Sequence, residues 1–278
     1  MKKLLFPSDY TPAADAAFPF AVRIASAYGS EILLVHAYSI ALTADMVAPN
    51  EYYGELVAEE ERRAGEQLIR YQEEARRLAG QDIPIRLFVR SGFATDVIEE
   101  LCEAEEPDMI IMGTNGAANW LDARLGSITT QVIQSAHIPV LAVPAEARYQ
   151  GIHEIVYASD YAEKDLSVSS RLGDIARKVG ARLNCVHVAA TPQPVPAGFD
   201  LTTIQALYRQ ETGFADLQLS EVRAEDVISG LSDYLELHPA DVIALTTRHR
   251  SFFARVFNPS VTRELALYSR RPLLVFHA

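Results

Sequence analysis

Long apolar runs are missing from this chain. No stretch approaches the roughly 18 residues that a membrane-spanning helix needs, although 49% of the residues are hydrophobic, ample for ordinary cores. The opening MKKLLFPSDY breaks its apolar run at Pro7, too soon for the core of a signal peptide, and reads as a first strand. Cysteine is scarce. Cys102 and Cys185 form no CxxC pair and suggest no disulfide framework, so a reducing cytoplasm is the expected location. Positive charge is short as well, with 25 Lys and Arg against 37 Asp and Glu and a formal net charge of −12. Phosphate backbones and anionic lipid repel such a surface, so neither nucleic acid nor a membrane is an expected partner. Much of the acidity between Glu51 and Glu74 alternates with Arg62, Arg63 and Arg70 at helical spacing, the pattern of a solvated helix face.

What is present is a sequence written twice. FPSDY at 6–10 returns as YASDY at 157–161, and LVHAY at 34–38 as CVHVA at 185–189, both 151 residues on (Asp9 to Asp160). DMIIMGTNG at 108–116 pairs with DVIALTTRH at 241–249, and IPVLAVP at 138–144 with RPLLVFH at 271–277, here 133 residues on (Asp108 to Asp241). The second copy is therefore the same unit, 18 residues shorter between its second and fourth strands. Two domains are expected, 1–146 and 151–278, joined near AEARYQG at 145–151.

Within the first copy, strands are expected near 3–7, 31–37, 83–89, 108–112 and 139–143. Helices are expected after Thr11 and Pro12, over much of 55–80, over 94–105 and from Ser127. Thr11 and Pro12 suit an N-cap and first helical residue, Gly29 a C-terminal stop, and Pro19 falls inside that helix. Alternation of strand and helix demands parallel strands with right-handed crossovers. MIIM and VLAV, apolar on both faces, suit sheets covered on both sides. The fold class is α/β, two tandem doubly wound open parallel five-stranded sheets.

Glycine is sparse, 14 in 278 residues, yet Gly113, Gly116 and Gly126 fall within GTNGAANWLDARLGSIT, just after strand four. In a doubly wound sheet, ligands sit beyond the carboxyl ends of the strands where strand order reverses. Ser127 opens a helix whose first N–H groups lack internal partners and attract anions. Gly113 would permit a tight exit from the strand, and Gly116 and Gly126 a close approach of phosphates to the main chain. A plain strand-to-helix loop, with glycines for turns and a serine cap, is the alternative on spacing alone. Neither GxxxxGK[ST] nor GxGxxG occurs.

GxxG, nine residues, then GS, set between MIIM and IPVLAVP, resembles the ATP-binding motif of the universal stress protein family. Ser8 and Asp9 after strand one, and Val35 to Ala37 in strand two, extend the resemblance, which covers both halves. It implies a Rossmann-like fold of the adenine nucleotide α-hydrolase type and a role as an ATP-dependent sensor or regulator in the stress response. It also implies that Pro7, Ser8 and Asp9 line the adenosine end, with Ala37 beside the adenine. Met112 and Gly113 would flank the ribose and phosphates, and Gly116, Gly126, Ser127, Ile128 and Thr129 would hold the triphosphate. No lysine lies in the loop, so a magnesium or manganese ion is expected to ride on the phosphates. Arg124 and Trp120 read as a solvent-facing arginine and a loop anchor.

The second copy has Thr246, His249, Pro259 and Ser260 where the first has Gly113, Gly116, Gly126 and Ser127. Pro259 has no N–H to donate, so this half is expected to be a degenerate partner that holds no ATP. Its loop RHRSFFAR at 248–255 reads as solvated arginines and packed phenylalanines, with a different anionic or apolar ligand, or a partner-protein patch, as the alternatives. His187, His249 and His277 show no metal-ligand spacing, and His36 reads as a core-edge histidine with one hydrogen bond. The resemblance further implies that such domains pair through their last strands. Here that pair would form inside one chain, with a homodimer and a client protein as further partners. No P-loop lysine, triad or carboxylate pair points to a reaction, so at most weak ATP hydrolysis is expected. The rival readings are an ATP hydrolase or transferase on this fold, and a scaffold that takes no nucleotide.

Overall fold

Leu4, Leu5 and Phe6 point to alternate faces of the first strand, yet all three are fully buried, so helices must cover both sides. A computed structural model describes residues 1–39, 50–114, 127–159, 165–190, 201–246 and 271–277. The first half runs β1 (Lys3–Pro7), α1 (Pro12–Tyr28), β2 (Glu31–Tyr38), α2 (Asn50–Ala79), β3 (Ile85–Ser91), α3 (Ala94–Glu105), β4 (Met109–Thr114), α4 (Ser127–Ser135) and β5 (Val140–Pro144). The second runs β6 (Glu154–Ala158), α5 (Asp165–Val179), β7 (Arg182–Ala190), α6 (Leu201–Thr212), β8 (Leu217–Ala224), α7 (Val227–Leu237), β9 (Val242–Thr246) and β10 (Leu273–Phe276). The α/β doubly wound class read from the sequence is the one observed.

The strands form one sheet, ordered β3-β2-β1-β4-β5-β10-β9-β6-β7-β8. Every pairing within a half is parallel. Between the halves, β5 and β10 pair antiparallel, with Leu274 opposite Leu141 and Val275 opposite Val140. The two last strands thus abolish each other's free edges and fuse two five-stranded units into one sheet. Its faces carry separate cores. Helices α1, α2, α5 and α6 contribute to one, and α3, α4 and α7 to the other. Across the junction α1 meets α5, where Tyr28 donates to Asp174 at 2.6 Å and Arg23 to the Val179 carbonyl at 2.7 Å.

Local signals explain most boundaries. Thr11 precedes α1 in extended backbone with Pro12 as the first helical residue, and Gly29 ends the helix at φ 68. Helix α1 continues through Pro19. Strand β3 begins at Ile85, two residues later than its apolar pattern suggests, because Pro84 has no N–H for the ladder. Helix α2 begins five residues earlier than expected and has 30 residues, whereas its counterpart α6 has 12. That difference of 18 equals the shortfall between the copies. The connection at 145–151 is no loose tether: Ala147 is buried, and Tyr149 packs edge-on against Phe20 with ring centroids 4.9 Å apart.

Leu274 sits at the junction and is 3% exposed. Its truncation in Leu274→Ala is expected to cost about 2–5 kcal/mol, whereas Leu87→Ala on edge strand β3 costs less. Chemical denaturation of both variants measures this, and equal losses would mean that the junction is no more tightly packed than the edge.

Candidate functional site

Strand order reverses between β1 and β4, because β2 follows β1 on one side while β4 lies on the other. Beyond the carboxyl ends of these strands lies a cleft of about 240 Å³. Pro7, Ser8 and Asp9 leave β1 along its wall, Val35 and Ala37 come from β2, and Met112 and Gly113 from β4. Thr11, Ala13 and Ala14 open α1, Ala94 and Ile98 belong to α3, and Ile128 and Thr129 lie in the first turn of α4. Three helix N-termini, those of α1, α3 and α4, therefore contribute to the wall of one cavity. Among the described residues of this wall, Asp9 is the only charged one.

Asp9 is exposed, and its Oδ1 accepts both the Thr11 N–H at 3.1 Å and the Thr11 hydroxyl at 2.6 Å. Engaged this way, Thr11 makes no side-chain cap to α1. Asp9 Oδ2 has no hydrogen-bond partner among the described residues and stands available as an acceptor. Val35, Ala37, Ala94 and Ile98 bring only aliphatic side chains to the wall.

Comparisons with known proteins fit this architecture. The sequence profile of the universal stress protein family matches residues 1–144. The chain belongs to that family. A universal stress protein of Thermus aquaticus is 31% identical over 143 residues, which cover 51% of this chain and 98% of that protein. One from Synechocystis is 22% identical over 294 residues, spanning 99% of this chain and the whole of its own. Among solved structures, a universal stress protein from Archaeoglobus fulgidus superposes with a TM-score of 0.73 at 15% identity, covering 99% of this chain and 98% of its own. The tandem arrangement is thus shared along the full length.

Of the residues that the universal stress protein resemblance marks, the cleft wall brings together Pro7, Ser8, Asp9, Ala37, Met112, Gly113, Ile128 and Thr129. Gly116, Gly126, Trp120 and Arg124 lie outside the described residues, as do Asp160, His249, Pro259, Ser260 and the RHRSFFAR loop. Ser127 is the first residue of α4. Several side chains are engaged in ways the sequence did not suggest. Ser8 turns its hydroxyl away to Tyr71, 2.8 Å distant. Thr129 is buried and donates its hydroxyl to the Gly113 carbonyl at 3.3 Å, tying α4 to β4. Ala13, Ala14, Ala94 and Ile98 carry no mark in the sequence reading, Thr11 is marked there only as a helix cap and Val35 only within the VHA piece of the resemblance. The Thr-Pro helix start close after Asp9 is a usable signal for Thr11, Ala13 and Ala14.

Gly113 serves packing in addition to lining the cleft. It lies within β4, and a Cβ there would stand 2.3 Å from the Ala13 carbonyl carbon and 2.6 Å from the Ala14 nitrogen. Only a missing side chain lets α1 lie so close to β4. In the second half Thr246 occupies the matching place, at the end of β9, and is 2% exposed. A helix could not pass Thr246 at the distance at which α1 passes Gly113. His187 and His277 are both held by main-chain carbonyls: His187 Nδ1 donates to the Ser159 carbonyl at 3.1 Å and His277 Nε2 to the Ile133 carbonyl at 2.7 Å. Among the described residues, no three His, Cys, Asp or Glu side chains gather as a metal site. No helix there is long and apolar enough to cross a membrane. Burial, with Glu99 nearby, pushes the Cys102 thiol up to about 11, leaving it a poor nucleophile at neutral pH.

Gly113→Ala is expected to destabilise the protein by about 2–4 kcal/mol, because backbone and not a movable side chain meets the new methyl. Thermal melts of the ligand-free protein read this out. A variant as stable as the parent would show that α1 can retreat freely.

Proposed function

We propose that the first half of this universal stress protein binds one adenine nucleotide, ATP, and that the second half is a degenerate structural partner. What supports the reading is the cleft at the switch point, where eight residues that the resemblance marks stand round a single cavity. Its chemistry fits. The aliphatic side chains of Val35, Ala37, Ala94 and Ile98 suit a base, and the free Oδ2 of Asp9 suits a ribose hydroxyl. The α4 N-terminus, with Ile128 and Thr129, suits phosphates through main-chain N–H groups. Thr129 would contribute its N–H, since its hydroxyl is already given to Gly113. Gly116, Gly126 and Ser127 complete the proposed phosphate cradle.

No lysine or arginine stands in the described wall, so magnesium or manganese carried by the phosphates would supply the neutralising charge. Among the described residues of the wall, Asp9 is the one carboxylate that could orient such an ion or its waters. That set gives no general base and no fixed cation for a transition state, so the nucleotide acts as a signal held in the fold. The protein works as a cytoplasmic sensor or regulator, read by a client protein through conformation and contacts. The division into units at 1–146 and 151–278, and any association of two chains, belong to the same proposal.

Titration calorimetry with ATP and magnesium is expected to give one site per chain. Ala37→Leu, which adds an isopropyl group where the base is proposed to sit, should weaken binding roughly ten- to hundredfold. The ligand-free melting temperature should change little, because Ala37 is only half-buried. Turnover should stay below about 1 per second. Two equivalent sites, or full affinity in Ala37→Leu, would contradict the assignment.

A further inference from the structure

The residues on either side of Asp9 are gripped from behind the cleft. Tyr10 adopts φ 62, a left-handed conformation that side chains bearing a Cβ rarely take. It is held there by stacking on His36, with ring centroids 4.5 Å apart and planes 24° from parallel. Its N–H donates to Ser8 Oγ at 3.1 Å. With that lone pair taken, the Ser8 hydroxyl can give its proton to the Tyr71 oxygen, 2.8 Å away. Tyr71 in turn donates to Asp15 Oδ1 at 3.3 Å, and Arg70 closes the line on the same carboxylate at 2.7 Å. His36 Nδ1 donates to the Ser8 carbonyl at 3.1 Å, and its Nε2 lies 3.8 Å from Glu60 of α2. Ser8 is thus fixed through its carbonyl and its hydroxyl at once.

Every donor in this line has one acceptor, so the chain is satisfied only in one orientation. Burial pushes the Tyr71 phenol up to about 12, which keeps it a donor at any working pH. Tyr71, Arg70 and Glu60 all belong to α2, which makes no part of the cleft wall. Among the described residues, the second half repeats the bond from the histidine, His187, to the Ser159 carbonyl.

We infer that Tyr71 and His36 are positioning residues: from behind the cleft they lock the Ser8–Tyr10 backbone, and through it the Asp9 carboxylate, so that α2 and the nucleotide site are coupled. Coupling rests on the nucleotide reading above, whereas the lock does not. A client that moved α2 would loosen Asp9, and a ligand seated on Asp9 would stiffen α2, by the same factor in both directions.

Tyr71→Phe removes the hydroxyl and leaves the ring contacts with Phe6 and Phe18. Tyr28→Phe, which loses the bond to Asp174 at the α1–α5 contact, is the control. Two quantities are read in the full chain: amide hydrogen exchange at Tyr10 and Thr11 without ligand, and affinity for ATP with magnesium. Loss of a neutral hydrogen bond predicts roughly three- to tenfold faster exchange and a similar loss of affinity in Tyr71→Phe, with neither in Tyr28→Phe. His36→Ala should behave like Tyr71→Phe, and His36→Asn, which keeps a donor toward Ser8, should recover part of both. Unchanged exchange in Tyr71→Phe overturns the lock, whatever ATP does. Faster exchange at parental affinity overturns the coupling. A parent that takes no ATP overturns the nucleotide reading and the coupling with it, while the exchange result still decides the lock.

Discussion

The missing side chain at Gly113 sets how closely α1 lies against β4, and the cleft follows from that distance. With the Ala13 carbonyl carbon 2.3 Å from where a Cβ would stand, the N-terminus of α1 is brought against the end of β4. Ala13 and Ala14 then become walls of the cavity, and Asp9, two residues before Thr11, is carried to its edge. The Thr129 hydroxyl reaches the carbonyl of the same glycine, so α4 is set by Gly113 too. One position thereby fixes two helix N-termini around one space. The second half has Thr246 there, so a helix placed as α1 is would meet its side chain.

Fusion of the halves through β5 and β10 has a different consequence. It buries the two strands that each half would otherwise leave bare, and it carries both cores through the whole molecule. The second half closes the first half's sheet edge and supports α1 through Tyr28 and Arg23. That dependence is a physical reason for keeping a second copy whose own loop departs from the motif.

Strands and helices of the first half were legible because their signals are local. An apolar run ending at Pro7, a Thr-Pro start and a Gly29 stop each act within a few residues, and 94–105 was read to the residue. What escaped is non-local. Gly113 reads in sequence as a turn glycine, since nothing near it announces that Ala13, a hundred residues earlier, will press against it. The cleft contribution of Ala94 and Ile98 likewise depends on how α3 crosses the sheet. His36 was read as a core-edge residue with one hydrogen bond; it has that bond, to Ser8, and also stacks on Tyr10, which no spacing reveals. The length of α2 was underestimated because its first turn carries no N-cap pattern that stands out from the acidic run.

The central claim is that one half of a doubled fold holds an adenine nucleotide and the other does not. Native mass spectrometry of the full chain, equilibrated with ATP and magnesium and followed by denaturing release, tests it most directly. The account predicts one adenine nucleotide per chain, lost when the first half's cleft is filled. Two nucleotides per chain, or none at saturating ATP, would contradict it.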